Sequence, residues 1–200
     1  KTADLAAKSF AVFKQLGIIA RKQGDYKKAL ANYEKATEIA QNLNDTTALG
    51  SCYNNMAIVY WVKGDYPHAL ELFQQALLIQ QKLGNKKREA LTIGNIGMLY
   101  GLQENSQKAL DYYEQALSIL REIGDKRGIS IFTVNTAIIY KKNGEYKEAM
   151  RLYEEALELQ KEVNDQSIIA SCLTDLGFGH SALGNYSQAE QFLEQSLSIN

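Results

Sequence analysis

The sequence predicts an all-α protein, an α-solenoid of five helix-turn-helix units, and three observations carry this prediction. The segment GDYPHAL at Gly64 recurs in related form at Gly24, Glu104, Gly144 and Gly184, each start forty residues after the last. Apolar residues recur at steps of three and four through both halves of each unit, which is the period of an α-helix. Turn residues separate the halves at matching points. We expect a single array over residues 1–200, with units at about 5–44, 45–84, 85–124, 125–164 and 165–200.

Polar residues at the ends of the predicted helices indicate where each helix begins and ends. Asp25, Asp65 and Asn185 precede a second helix, where their side chains can accept hydrogen bonds from unpaired backbone N–H groups, and Glu145 there favours the helix dipole. An Asp or Asn precedes each later first helix in the same way. Where a second helix ends, the chain carries the residue types that best accept a left-handed backbone: Asn44, Gly84, Gly124 and Asn164.

Small and large residues occupy complementary registers, as two closely crossing helices require. One register of the first helices holds only glycine or alanine, at positions 17, 57, 97, 137 and 177. Replacing one of these with leucine should overpack the crossing by about 1–3 kcal/mol. We expect large residues of the second helices to fill the complementary space, namely Tyr33, Phe73, Tyr113, Tyr153 and Phe192.

The third unit departs from the pattern, because ENSQKAL has lost both the turn glycine and the tyrosine that follows it. Glu104 stands at the glycine position and Ser106 at the tyrosine position. Because a serine side chain cannot fill the space of a tyrosine, we expect a looser turn and weaker coupling between the two helices of this unit.

These residues resemble the tetratricopeptide repeat family, with its pattern L-G/A-x-x-Y, G-x-Y-x-x-A and Y/F-x-x-A-L, over nearly all of the chain. Five copies in phase make the resemblance specific. The unit is longer than usual and no proline ends its second helix, which is similar to the long-helix repeats of Pins-type polarity adaptors, kinesin light chains and bacterial signalling proteins. The phrase LGNKKREALTIGNIGMLY is especially similar to them. The resemblance implies a right-handed superhelix whose first helices line the concave face.

Composition argues against several classes of protein. A formal net charge of −1 argues against a nucleic-acid binder and against a polybasic membrane anchor. The apolar runs are too short to span a bilayer. Cys52 and Cys172 lie three units apart, too far for a disulfide in a stack of repeats. We interpret both as small core residues, which fits a reducing, cytoplasmic location.

Catalysis is not expected from this sequence. His68 lies in the first turn of a helix and should be solvated, and His180 replaces a packing tyrosine and should be structural. There is no H-E-x-x-H motif, no Cys–His pair close in sequence and no glycine loop after a strand. We therefore expect no catalytic residue, no metal site and no cofactor.

A second register of the first helices holds polar residues and is the candidate binding ladder. An amide carries both a donor and an acceptor, so it can pair with a peptide backbone of any sequence. In the related long repeats this ladder faces the groove and holds an extended peptide. The alternative is that one ancestral Asn was copied by duplication and faces water or the next repeat. The ladder consists of Gln15, Asn55, Asn95, Asn135 and Asp175.

Residues beside the ladder are candidates for setting the specificity of a bound peptide. Trp61 and Met98 give the middle of the surface an apolar character. Lys14, Arg21 and Lys141 could bind acidic side chains or a terminal carboxylate, or they could form a solvated rim.

Two further features of the sequence leave alternatives open. Gly94 and Gly101 could open a pocket beside Trp61 for a large ligand side chain, or they could permit close helix packing. The cations at 86–88 open a helix, where the dipole disfavours them, and could mark contact with an acidic partner. Ordinary solubilising surface is the favoured interpretation of those cations.

The predicted function is a non-catalytic protein-interaction module, which binds an extended or helical peptide segment of a partner in the concave groove. One alternative is a self-assembling array that stacks through uncapped repeat ends, and another is the regulatory sensor domain of a larger signalling protein. We expect a protein or peptide partner, with no nucleic acid and no membrane. Because the chain begins inside a repeat and shows no polar cap, we expect it to be a fragment of a longer protein.

Overall fold

The computed structural model describes residues 2–199, and those residues form ten α-helices and no strand. Two helices correspond to each predicted unit, which confirms the predicted all-α, α-solenoid fold class. The odd-numbered helices are the first helices of the units and the even-numbered ones are the second. They are α1 (Thr2–Lys22), α2 (Tyr26–Asn42), α3 (Thr46–Val62), α4 (Tyr66–Lys82), α5 (Lys86–Leu102), α6 (Ser106–Glu122), α7 (Lys126–Lys142), α8 (Tyr146–Val163), α9 (Gln166–Ala182) and α10 (Tyr186–Leu197).

Helices α1–α4 and α6–α10 pack mainly against their neighbours in the chain. The first and second helices of a unit pair with each other, as α1 does with α2, α3 with α4, α7 with α8 and α9 with α10. Successive units then join through α2 on α3, α6 on α7 and α8 on α9. The helices form two compact bodies, an N-terminal body that ends at Leu99 and a C-terminal body that begins at Tyr100.

Most of the predicted helix ends are confirmed. Asp25 and Asp45 accept hydrogen bonds from the backbone N–H groups of Lys28 and Ala48, at 3.0 and 2.9 Å. By contrast, the side chains of Glu145, Asp165 and Asn185 make no capping hydrogen bond. The residues predicted to adopt a left-handed backbone do so, with φ of 52° at Asn44 and Asn164, 64° at Gly84 and 68° at Gly124.

The turn of the third unit is not loose, so this part of the prediction is wrong, while the weaker coupling of its two helices stays a prediction. Glu104 adopts the left-handed conformation of the missing glycine, with φ of 61°. The Asn105 N–H donates to Tyr100 O at 2.9 Å, which matches the bond from Asp65 N to Tyr60 O in the second unit. Tyr112 of α6 stacks on Tyr100, which lies four residues before Glu104, with ring centroids 5.4 Å apart. The turn keeps the geometry of the other units, and the conformational strain of a left-handed residue with a Cβ lies in the Glu104 backbone.

Replacing Glu104 with glycine is expected to raise the free energy of unfolding by about 1 kcal/mol, because a left-handed backbone costs a residue with a Cβ roughly that much. The midpoint of urea unfolding measures the change. Glu114, which is exposed on α6, is the matched control. The same substitution there should lower stability by about 1 kcal/mol, since glycine is a poor residue inside a helix. A lower midpoint for Glu104→Gly would contradict the strain assigned to this turn.

The predicted small-residue register lies at the helix crossings. A Cβ added at Gly17 would sit 2.5 Å from Cε1 of Tyr33, whose ring is fully buried. A Cβ added at Gly177 would sit 2.6 Å from Cγ of Leu193. Leu193 therefore fills the place predicted for Phe192, which lies one position out of register. Phe192 instead stacks on His180, with centroids 5.3 Å apart.

The cysteines and histidines have the structural roles that the sequence predicts. Cys52 and Cys172 are buried and free, and burial raises the pKa of the Cys172 thiol to about 12. A thiol with such a pKa is a poor nucleophile near neutral pH. His68 is exposed beside Asp65, and the buried His180 packs on an aromatic ring.

None of the helices within residues 2–199 has both the length and the apolar character needed to cross a membrane.

Candidate functional site

The candidate ladder has one residue on each odd-numbered helix, and the structure brings two of these residues together. Asn55 of α3 and Asn95 of α5 are half-buried and line one pocket in the N-terminal body. Asn135 of α7 lines a second pocket, which lies in the C-terminal body. Gln15 is exposed and lines neither pocket, and Asp175 is paired with a lysine. The three asparagines of the ladder therefore line two pockets of different character, and each pocket has at least one of them.

The larger site, which we call the polar pocket, has a volume of about 410 Å³ and lies between α3 and α5. Ser51 and Asn54 of α3 and Thr92 of α5 surround the two asparagines with further hydroxyl and amide groups. Arg88 is the charged residue of this lining. Hydroxyls, amides and one guanidinium suit hydrogen bonding to uncharged or anionic groups.

The buried end of the polar pocket is formed by Gly50 and Gln80. Gln80 of α4 is 2% exposed, yet its Oε1 has no hydrogen-bond partner among the described residues. Its amide lies against Gly50, because a Cβ at Gly50 would be 2.9 Å from Gln80 Nε2 and 2.8 Å from Ile79 Cγ2. The pocket reaches Gln80 because Gly50 has no side chain to cover it.

The second site, which we call the apolar pocket, has a volume of about 210 Å³ and lies between α7 and α9. Its lining matches that of the polar pocket with a shift of eighty residues: Ile131 stands for Ser51, Val134 for Asn54, Asn135 for Asn55, Ile168 for Arg88 and Ser171 for Leu91. Equivalent helix positions thus form a polar site in the N-terminal body and a largely apolar site in the C-terminal body. The two have an asparagine in common.

The Asn55 side chain is held by a hydrogen bond to its own helix. Asn55 donates Nδ2 to the Ser51 carbonyl at 2.9 Å, one helical turn earlier. This bond uses one of the two N–H groups of the amide and fixes the direction of the side chain. Asn32 of α2 makes the same kind of bond to the Lys28 carbonyl at 2.7 Å, so the bond alone does not mark a binding residue.

Two of the cations predicted to bind acidic ligands, Lys14 and Lys141, contact other side chains of the protein. Lys141 lies 2.5 Å from Asp175, so two of the candidate binding residues form an ion pair with each other. Burial, with Asp175 nearby, raises the pKa of the Tyr153 hydroxyl well above its usual value. Lys14 lies over the Phe10 ring, 5.4 Å from its centroid. Burial also raises the pKa of Tyr33, and the neighbouring Arg21 partly opposes that effect.

The aromatic and glycine candidates lie outside both pockets. Trp61 and Met98 are half-buried on α3 and α5, but neither residue is part of the described linings. Gly94 is buried and is likewise not part of the polar pocket. A Cβ at Gly101 would be 3.1 Å from Ile139 Cδ1 and 3.7 Å from Ala109 Cβ, so this glycine permits close helix packing.

The sequence reasoning missed the two residues that give the polar pocket its depth and its charge. Arg88 was grouped with Lys86 and Lys87 as ordinary surface, whereas it lines the pocket. Gln80 was not singled out, although an uncharged polar residue in a register that holds Ala40 and Leu120 is a signal that could have been used.

Histidine, cysteine, aspartate and glutamate side chains do not form a metal site in the part of the chain that the structure describes. No group of three such side chains is close enough to hold an ion there.

Comparison with protein families gives one match. The profile described as "Tetratricopeptide repeat" matches residues 9–77, 49–122 and 130–200, which together span most of the chain. A search of curated protein sequences found no match.

Comparison with solved structures gives many similar folds at low sequence identity. A putative kinesin light chain with nearly identical repeats, from Podosopora anserina, has a TM-score of 0.73 and 20% identity over 94% of this chain and 93% of that one. A Rap protein complexed with Competence and Sporulation Factor has a TM-score of 0.83 and 20% identity, over 96% of this chain and 54% of that one. A signal transduction ATPase with a tetratricopeptide repeat sensor, from Pyrococcus horikoshii, has a TM-score of 0.81 and 23% identity, over 95% of this chain and 30% of that one.

Proposed function

Since the chain belongs to the tetratricopeptide repeat family, we propose that it is a protein-interaction module, which binds an extended or helical segment of a partner protein along its odd-numbered helices. Repeat folds stack short helix pairs and thereby create long surfaces suited to such segments. The similarity in fold to a Rap protein complexed with a factor, and to the repeat sensor of a signalling ATPase, supports an interaction or sensor role.

The observation that carries the proposal is the shared pocket of Asn55 and Asn95. Two amides from neighbouring first helices lie on one pocket of about 410 Å³, which is large enough for a side chain and its flanking backbone. Each amide can donate to a peptide carbonyl and accept from a peptide N–H. Asn135 offers the same group at the apolar pocket, where a hydrophobic side chain of the ligand would fit.

The remaining candidate residues would modulate this binding. We assign Gln15, Lys14 and Arg21 to the first-helix surface of the first unit, and Trp61 and Met98 to the surface beside the polar pocket. Lys141 and Asp175 already neutralise each other, so an acidic side chain of the ligand would have to displace Asp175 to reach Lys141. The proposed module is non-catalytic and needs no cofactor, and we place it in the cytoplasm with neither nucleic acid nor membrane as its partner.

Removing the three asparagines is expected to lower peptide retention at least tenfold, since each amide hydrogen bond contributes roughly 0.5–1.5 kcal/mol. The measurement is a pull-down of a random peptide library by Asn55→Ala/Asn95→Ala/Asn135→Ala, compared with the unaltered chain. Asn32→Ala/Gln75→Ala/Gln115→Ala removes three amides from the even-numbered helices and is the matched control. Circular dichroism confirms that both variants remain helical.

Equal retention by both triple variants would move the site away from the ladder. If the unaltered chain retains no peptide at all, the proposal fails and self-association becomes the stronger interpretation. One observation favours that alternative, because Leu5, Val12, Leu16 and Ile19 expose apolar side chains on α1. A mass that rises with protein concentration would support it.

A further inference from the structure

We propose that the polar pocket is a subsite for one uncharged carboxamide side chain, an asparagine or glutamine of the bound segment. This inference rests on the peptide-binding function proposed above and names one specificity determinant within it. The ligand amide would reach the buried end of the pocket and pair with Gln80.

The side-chain oxygen of Gln80 lacks a hydrogen bond among the described residues. A buried polar atom without a partner is costly, and nearly all such atoms in folded proteins are paired. Gln80 Oε1 is buried and has no partner among residues 2–199, and Gln80 is part of the pocket lining. A ligand that supplies an N–H donor at this point would therefore gain a hydrogen bond that the free protein does not make from its own groups.

Gln160 is the residue equivalent to Gln80 two repeats later. Gln160 is equally buried, but its Nε2 donates to Ser130 Oγ at 2.7 Å and its Oε1 accepts from Asp165 N at 2.9 Å. In the second unit Gly50 replaces that serine. The Asn85 N–H donates to the Gln80 backbone carbonyl at 3.0 Å instead of the side chain. The side-chain oxygen of this glutamine thus has a partner within the protein in the fourth repeat and none among the described residues in the second.

The ligand group must suit both Arg88 and the Gln80 amide. The charged residue of the pocket is Arg88, which disfavours an ammonium or guanidinium beside it. A carboxylate could pair with Arg88 but has no donor for Gln80 Oε1. A carboxamide carries one donor group and one acceptor, so it satisfies the Gln80 amide in either of the two orientations that this side chain can take. Asn54, Asn55 and Thr92 can bind the rest of the ligand amide.

The experiment follows the side-chain amide resonances of Gln80 and Gln160 by NMR in the whole chain. The probes are N-acetyl-glutamine methylamide, N-acetyl-glutamate methylamide and N-acetyl-leucine methylamide. We expect the glutamine probe to shift the Gln80 resonance saturably and to bind about tenfold more tightly than the other two, as sites built for a hydrogen bond discriminate by at least this factor. The Gln160 resonance should not move. Equal shifts with all three probes, or none with the glutamine probe, would overturn the subsite.

A second arm compares the same substitution at the two glutamines. Leucine occupies this register naturally as Leu120, which is fully buried. Gln80→Leu removes an unpaired oxygen, so its unfolding midpoint should equal or exceed that of the unaltered chain. Gln160→Leu removes the donor to Ser130 Oγ, leaves the Asp165 N–H unpaired and should lower the midpoint. Equal losses for the two variants would show that Gln80 is already satisfied and would overturn the proposal.

The two experiments distinguish a failure of the subsite from a failure of the proposed function. If peptides are retained but the glutamine probe leaves Gln80 unmoved, peptide binding stands and the subsite is wrong. If the glutamine probe binds at Gln80 while the triple asparagine variant keeps all its peptides, the subsite stands and the ladder is not the peptide site.

Discussion

Replacing Phe73 with alanine is expected to lower the free energy of unfolding by about 3–5 kcal/mol, since burial and packing of a whole ring are lost together. Phe73 of α4 is 0% exposed and is among the largest fully buried side chains of the protein. It stands in the register that holds tyrosine in three other units. Because Phe73 has no hydroxyl, it contributes through its ring alone. The variant therefore removes apolar contacts and leaves no polar group without a hydrogen bond.

Urea unfolding followed by circular dichroism measures this loss, with the midpoint and the slope reported separately. Phe178→Ala is the matched control, because Phe178 is 58% exposed and its truncation should change stability by no more than about 0.5 kcal/mol. Neighbouring repeats stabilise one another through their interfaces, so the loss at Phe73 should also weaken the adjoining pairs. A change at Phe73 no larger than that at Phe178 would contradict the role of this register as the core.

The repeat and its helices could be predicted from the sequence because the signals are local and five times repeated. The period of three and four and the turn residues fix helix and turn without any knowledge of long-range contacts. The left-handed conformation of Asn44 and Asn164 followed from residue type alone. The prediction of a loose third turn is wrong because this turn does not require a glycine. Glu104 instead adopts a left-handed conformation that a residue with a Cβ disfavours.

The candidate site could be predicted only in part. The asparagine register follows from periodicity, and the structure places Asn55 and Asn95 on one pocket. The depth of that pocket depends on Gly50 of one helix facing Gln80 of another, a pairing between positions thirty residues apart in the chain. The ion pair of Lys141 with Asp175 likewise joins side chains of different units, so residue types alone suggested free cations.

Replacing Gly17 with leucine is expected to lower the free energy of unfolding by about 1–3 kcal/mol through overpacking, although leucine is the better helix former. A Cβ at this position would lie 2.5, 2.7 and 2.8 Å from three atoms of the Tyr33 ring. The ring is fully buried and is enclosed with Ala20, Ala29 and Val59, so it has little room to move aside. The steric cost therefore exceeds the gain in helix propensity.

A double-mutant cycle tests the cause of this loss. Tyr33→Ala alone should cost about 3–5 kcal/mol, but Gly17→Leu/Tyr33→Ala should cost less than the sum of the two, since the leucine occupies the space that the ring leaves. Ala7→Leu is the control on an exposed position of the same helix and should change stability by no more than about 0.5 kcal/mol. Strictly additive losses would mean that Gly17 and Tyr33 are not in steric contact. Ala57 and Ala137 occupy the same register fully buried, so coupling at Gly17 would indicate that these crossings accept at most one methyl group.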